Sequence, residues 1–305
     1  MNDRNNVMIA EAKGITRILA AMENHSSNAN VQQYGCGALW SLAVRNENNQ
    51  LAIAEAGGIT NILSAMVIHS SNANIQHFCC GALGNLTIND INQVTIAAAG
   101  SIARILSAME NHSSYANVQH YGCLALGNLA VNDNNQVTIA AAGGITRILS
   151  SMKFHSSNSN VQHCGCAAVG NLALNDNNKV LIVAAGGLTM ILSAMKSFSS
   201  NGNVQYYGCL ALSNFAENDY LRVMIAEAGG ITLIRSALKN HPLNAVVQEN
   251  GHKALRNLNC HTYNKVAVAK TGGIAAMILG IVTMMLLCKI IHCLYLQEIW
   301  PCVPI

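Results

Sequence analysis

The sequence predicts an all-α solenoid. Three observations carry that prediction: a block of about 43 residues that recurs along the chain, a Gly-Gly-Ile-type turn inside each block, and a Val-Gln pair that opens each block's last helix. The turn falls at Gly14, Gly58, Ser101, Gly144, Gly187, Gly230 and Gly273. Successive turns lie 43 residues apart five times and 44 once, with the extra residue in the loop from Ala43 to Gln50. The pair follows at Val31, Ile75, Val118, Val161, Val204 and Val247. Periods of about 40–47 residues belong to helical arrays in which each unit buries its apolar face only by stacking on its neighbours. The blocks run 2–46, 47–89, 90–132, 133–175, 176–218 and 219–261, followed by a partial seventh over 262–288.

Within the block 133–175, the stretch Asn135–Ala142 predicts a short apolar helix. Gly143 and Gly144 close it, since glycine takes the left-handed turn after a helix without steric cost. A second helix runs from Ile145 to about His155, where Ile145, Ile148, Leu149 and Met152 recur at the spacing of a buried stripe. A Ser-Ser-Asn-Ser loop ends it. Asn160 then stands where its side-chain oxygen can cap a third helix from Val161 to about Leu174, which buries Cys166, Val169, Leu172 and Ala173.

A three-helix unit of this length, with Gly-Gly between its first two helices and a Gly-Cys-x-Ala-Leu-x-Asn-Leu run in its third, resembles the armadillo repeat. The resemblance covers residues 2 to about 275 and implies a right-handed armadillo-type α-solenoid. It also implies a concave face lined by the third helices, on which a recurring Asn holds the backbone of an extended peptide. That Asn stands here at Asn85, Asn128, Asn171, Asn214 and Asn257, while the first repeat has Ser41. Importin α, of the same family, sets a Trp four residues before the Asn; here the equivalents are Gly37, Gly81, Leu124, Ala167, Leu210 and Lys253. The Lys and Arg array of β-catenin's groove is missing as well, so neither cargo class carries over. In texture the chain is closer to the Vac-type adaptors and to the repeats beside leucine-rich-repeat kinases.

Composition narrows the function further. The 305 residues are 51% hydrophobic and 10% charged, with 3 Pro and a formal net charge of +3. No basic stripe is present, which argues against a nucleic-acid partner. Five of the 11 Cys share one repeat position (Cys36, Cys80, Cys123, Cys166 and Cys209), on helices expected about 8–10 Å apart, beyond the ~7 Å limit for a disulfide. They read as buried apolar thiols of an intracellular, cytoplasmic protein, and Met1 opens no signal-peptide pattern. His77, His120 and His163 also share one position. One per repeat implies separation too wide for a metal site, so no metal and no cofactor are expected. His25, His69, His112, His155 and His241 recur at the end of the second helix, where a polar ring suits the helix C-terminus. No P-loop, Gly-x-Ser-x-Gly elbow or paired carboxylates occur, so no catalytic residues are assigned and the chain reads as a non-enzyme.

The remaining candidate site is the third-helix stripe. Residues four apart share a helix face, so His120, Leu124 and Asn128 align, as do His163, Ala167 and Asn171. Asn is a poor helix former, and its recurrence calls for a hydrogen-bonding duty. Two duties fit: holding a peptide backbone, or bridging adjacent repeats. The peptide-binding set is Asn85, Asn128, Asn171, Asn214 and Asn257 with His77, His120, His163, Leu124 and Leu210, and the expected partner is an extended segment of another protein.

The pattern breaks at the C-terminus. Residues Ile274–Cys288 are apolar on every side, and the run extends to Leu296 past Lys289 and His292. Three readings stand: a tail anchor that makes the chain a membrane-attached structural adaptor, an over-apolar helix packed on the sixth repeat, or a frame-shifted tail. The last rests on Lys289–Leu294, which read two nucleotides later can encode the Asn-His-Pro-Leu of Asn240–Leu243. At the other end Asn2–Thr16 resembles Asn218–Thr232, so the chain opens inside a repeat. A fragment of a longer array, or end-to-end self-association, is the corresponding expectation.

Overall fold

The computed structural model describes residues 13–259, which form an all-α solenoid. Among the described residues there are 17 helices and no strand, and no single helix is long and apolar enough to cross a membrane. The segment Ile274–Leu296 lies outside the described residues, as does the partial seventh block. The chain divides into two compact units, one ending at Ala194 and the other beginning at Met195.

Each repeat from the second to the sixth has the same three parts. In the fourth they are Asp133–Ala141, Gly144–Phe154 and Ser159–Leu172. The first helix starts two residues before the position expected from its apolar residues, because Asn132 caps it, its side chain accepting from the amides of Asn134 and Asn135. The turn glycine preceding the second helix of repeats two to six is left-handed: Gly57, Gly100, Gly143, Gly186 and Gly229 have φ of 80–87°. The next position is closed to side chains for a different reason. A Cβ on Gly144 would sit 2.7 Å from the Ile139 carbonyl oxygen and 2.4 Å from its Cγ2.

The cap of the third helix corrects one expectation. Asn158, not Asn160, caps Ser159–Leu172, accepting from the amides of Asn160 and Val161. The helix begins earlier than the Val-Gln pair suggests, which leaves Asn160 exposed in its first turn. Asn28, Asn72 and Asn201 cap in the same way. In the third repeat Tyr115 takes the cap position, and its hydroxyl donates instead to Asn74 Oδ1 of the preceding repeat at 2.7 Å.

The Val-Gln pair marks the joint between second and third helices. The Gln162 amide, 3% exposed, donates to the carbonyls of Met152 at 2.8 Å and His155 at 3.0 Å. Those carbonyls belong to the helix end, where the backbone has no intrahelical donor left. Gln32, Gln76, Gln119, Gln205 and Gln248 repeat the arrangement. The apolar stripe then closes the joint: Val161, Cys166, Val169, Leu172 and Ala173 are all fully buried, as are Ile148 and Met152. Each large aliphatic buried in this way contributes about 1.5–3 kcal/mol.

Repeats are tied laterally by a second set of bonds. In the first unit the third helices Ala29–Ala43, Ala73–Leu86, Ala116–Leu129 and Ser159–Leu172 lie side by side in that order. In the second unit Gly202–Phe215 packs on Ala245–Asn259. The histidines ending the second helices reach back one repeat: His69, His112 and His155 contact the carbonyls of Ser26, Ser70 and Ser113 at 2.8 Å, and His241 that of Ser199 at 2.9 Å. A carbonyl only accepts, so Nε2 carries the proton in each.

Candidate functional site

Where the first repeat has Ser41, the third helices of the second to sixth repeats carry the recurring Asn in their last turn. Its amide nitrogen crosses to the preceding repeat. Asn85 donates to the Trp40 carbonyl at 3.2 Å, Asn128 to Gly84 at 2.8 Å and Asn171 to Gly127 at 2.9 Å. In the second unit Asn257 donates to the Ser213 carbonyl at 3.0 Å. Every acceptor is among the last four carbonyls of its helix, the groups that a helix cannot satisfy alone. Bridging of adjacent repeats is therefore a duty this side chain performs. Asn85, Asn128, Asn171 and Asn257 remain half-buried, whereas Asn214 is 2% exposed.

Four residues before Asn128, Leu124 is half-buried, its side chain packed toward Gly84, where a Cβ would meet it at 3.3 Å. Leu210 is half-buried in the second unit. Further toward the helix starts, His77, His120 and His163 are brought together by adjacent helices rather than kept apart. The His120 and His163 rings lie edge to face with centroids 5.7 Å apart. This corrects the expectation of wide separation: neighbouring helix axes are well apart, but large side chains at equal heights lean into the space between them.

Aromatic residues complete the cluster. Trp40 meets His77, Phe78 and Tyr121 edge-on at 5.6, 5.9 and 4.7 Å, and His77 stacks on Tyr121 at 5.1 Å. Trp40, one residue before Ser41, thus faces the same cluster as Phe78 and Tyr121. The signal was present in the sequence, because the residue after each ladder histidine is Phe78, Tyr121 or Cys164, and its counterparts elsewhere are Tyr34, Tyr207 and Asn250. Gly81 leaves room for the indole, since a Cβ there would lie 3.0 Å from it.

The cluster is uncharged at neutral pH. Burial lowers the pKa of His120 to about 4, with the charges of His163 and His77 adding to the effect. Burial also lowers the pKa of His77, and of His163 despite its hydrogen bond to the Ser159 carbonyl. The thiols keep their protons at neutral pH for a related reason: burial pushes Cys80, Cys164, Cys166 and Cys209 up to about 12. Cys36 and Cys79, from adjacent repeats, approach to 3.4 Å as free thiols.

Comparison with known proteins agrees with this architecture. The pattern of the LRRK2 ARM repeat family matches residues 57–272. Two crystal structures of engineered proteins superpose with TM-scores of 0.70 and 0.71, at 24% and 21% identity; each match covers 81% of this chain and 97% or 99% of the other. A structure from work on a phosphorylation switch that controls the interaction between cadherin and β-catenin superposes at 0.52 with 19% identity, over 83% of this chain and 54% of that one. These likenesses are of fold. No curated protein matched the sequence.

Proposed function

The chain belongs to the LRRK2 ARM repeat family, and on that premise we propose that it is a non-enzymatic protein-interaction scaffold that holds an extended segment of a partner along its third helices. The observation that carries the reading is the chemistry of that face: half-exposed Asn side chains beside apolar and aromatic surface, with histidines held neutral. The Asn nitrogen bonds the neighbouring repeat, and its oxygen is an acceptor suited to a peptide N–H. Low charge favours recognition of backbone and apolar side chains over acidic or basic cargo. The interaction named for β-catenin with cadherin supports a protein partner for this fold.

Ala167 offers the test, because it is small, half-buried and set between His163 and Asn171 on the helix. Affinity capture with the native chain and with Ala167→Arg, after both give the same helical circular dichroism, should recover proteins that the variant loses. Recovery of the same proteins by both would move the working surface elsewhere.

A further inference from the structure

We propose that His120, His163 and Cys164 form a binding site for a thiophilic transition-metal ion, which would clip the third and fourth repeats together. One ring nitrogen of each histidine and the Cys164 sulfur all lie within 4.8 Å of one another. His120 comes from Ala116–Leu129, and the other two from Ser159–Leu172. A tetrahedral ion with bonds of about 2.0–2.3 Å holds its ligand atoms roughly 3.3–3.8 Å apart, so a contraction of about 1 Å, within reach of side-chain rotation, completes the geometry.

The donor chemistry is specific. Two imidazoles and one thiolate suit Zn2+ or copper and exclude the hard, oxygen-seeking cations Mg2+ and Ca2+. The His163 Nδ1 donates to the Ser159 carbonyl at 3.1 Å, which sets the tautomer that carries its lone pair on Nε2. Neither imidazole has to lose a proton at neutral pH. Cys164 does: its S–H bond breaks as the sulfur–metal bond forms, and the proton passes to solvent, with no change of oxidation state. Cys164 is 2% exposed and the histidines are half-buried, so the ion enters from the third-helix face, and a water can hold the fourth position. The site shares His120 and His163 with the third-helix face of the peptide-binding reading, but it requires only these three residues and no bound peptide.

The test uses the full chain, stripped with a chelator and titrated separately with Co2+, Zn2+ and Cu+. Co2+ should produce a thiolate-to-cobalt charge-transfer band and intense tetrahedral absorption. Zn2+ should displace it and raise the melting temperature, and if Cu+ displaces it more tightly the site is a copper site. Cys164→Ser should abolish the band and His120→Gln should weaken binding at least tenfold, while Cys209→Ala, at a ladder thiol outside the cluster, should leave both unchanged. If either cluster variant misfolds by circular dichroism, His163→Gln replaces it with the same expected loss. Absence of the band in the native chain, or its persistence in Cys164→Ser, would overturn the proposal.

Discussion

Replacing Gln162 with Glu tests the joint between second and third helices with almost no change of shape. The Gln162 amide makes two donations, to Met152 and His155, from a side chain that is 3% exposed. A carboxylate in the same place has no proton to give, and its oxygen would face two carbonyl oxygens at about hydrogen-bond distance. The Met152 carbonyl is left unpaired, at a cost of about 1–3 kcal/mol, while the His155 carbonyl keeps the Asn158 amide at 2.9 Å; with the oxygen–oxygen repulsion at both, the total is at least about 2 kcal/mol at pH 7. Burial of the carboxylate adds to that and raises its pKa. For a chain of this size a loss of about 2 kcal/mol lowers Tm by roughly 4–8 °C. Thermal unfolding followed by far-ultraviolet circular dichroism, with variant and native chain compared at each pH, supplies the readout. Acid should narrow the gap, because a protonated Glu regains one donor. Equal melting temperatures at pH 7, or a gap that does not shrink toward pH 5, would refute the argument that this amide holds the helix end.

Lowering the pH should destabilise the native chain between about 6.5 and 4. The histidines of the third-helix cluster have lowered pKa values, His120 to about 4, so the unfolded chain takes up protons first, and stability present above the unfolded pKa is lost as pH falls through that window. His120→Gln should flatten part of that slope in a series of melts. Asn171→Ala removes the bond to the Gly127 carbonyl and should cost about 1–2 kcal/mol in urea denaturation without loss of helix content. Gly143→Val places a β-branched residue at φ 81° and should cost at least about 1–2 kcal/mol, more than Val at the exposed neighbour Ala142. Deleting Asp133–Asn175 in register should leave a folded, shorter array, and loss of all helical signal would contradict stability by nearest-neighbour stacking.

The sequence makes the repeat legible because each turn and stripe is local. Gly143 needs its left-handed backbone whatever the neighbouring repeat does, and Ile145, Ile148, Leu149 and Met152 define a face within one helix. The cap was ambiguous for a local reason too, since Asn158 and Asn160 both precede the Val-Gln pair. Lateral chemistry was harder to read. Nothing inside one 43-residue period tells that the Asn128 amide reaches the Gly84 carbonyl, that His155 reaches Ser113, or that His120 leans onto His163. These contacts depend on how far apart and at what height adjacent helices pack. The alternation of His and aromatic residues through His77–Phe78 and His120–Tyr121 was visible, but its convergence with Trp40 required the stack.

Selection of extended peptides from a random library tests the central claim most directly, with binding of the recovered sequences then measured by fluorescence anisotropy to the native chain and to Ala167→Arg and Leu124→Lys. The account predicts peptides rich in apolar residues, whose affinity falls at least tenfold in both folded variants, and whose binding protects the third helices from hydrogen exchange. Peptides that bind both variants as tightly as the native chain, or that protect only the first helices, would contradict it.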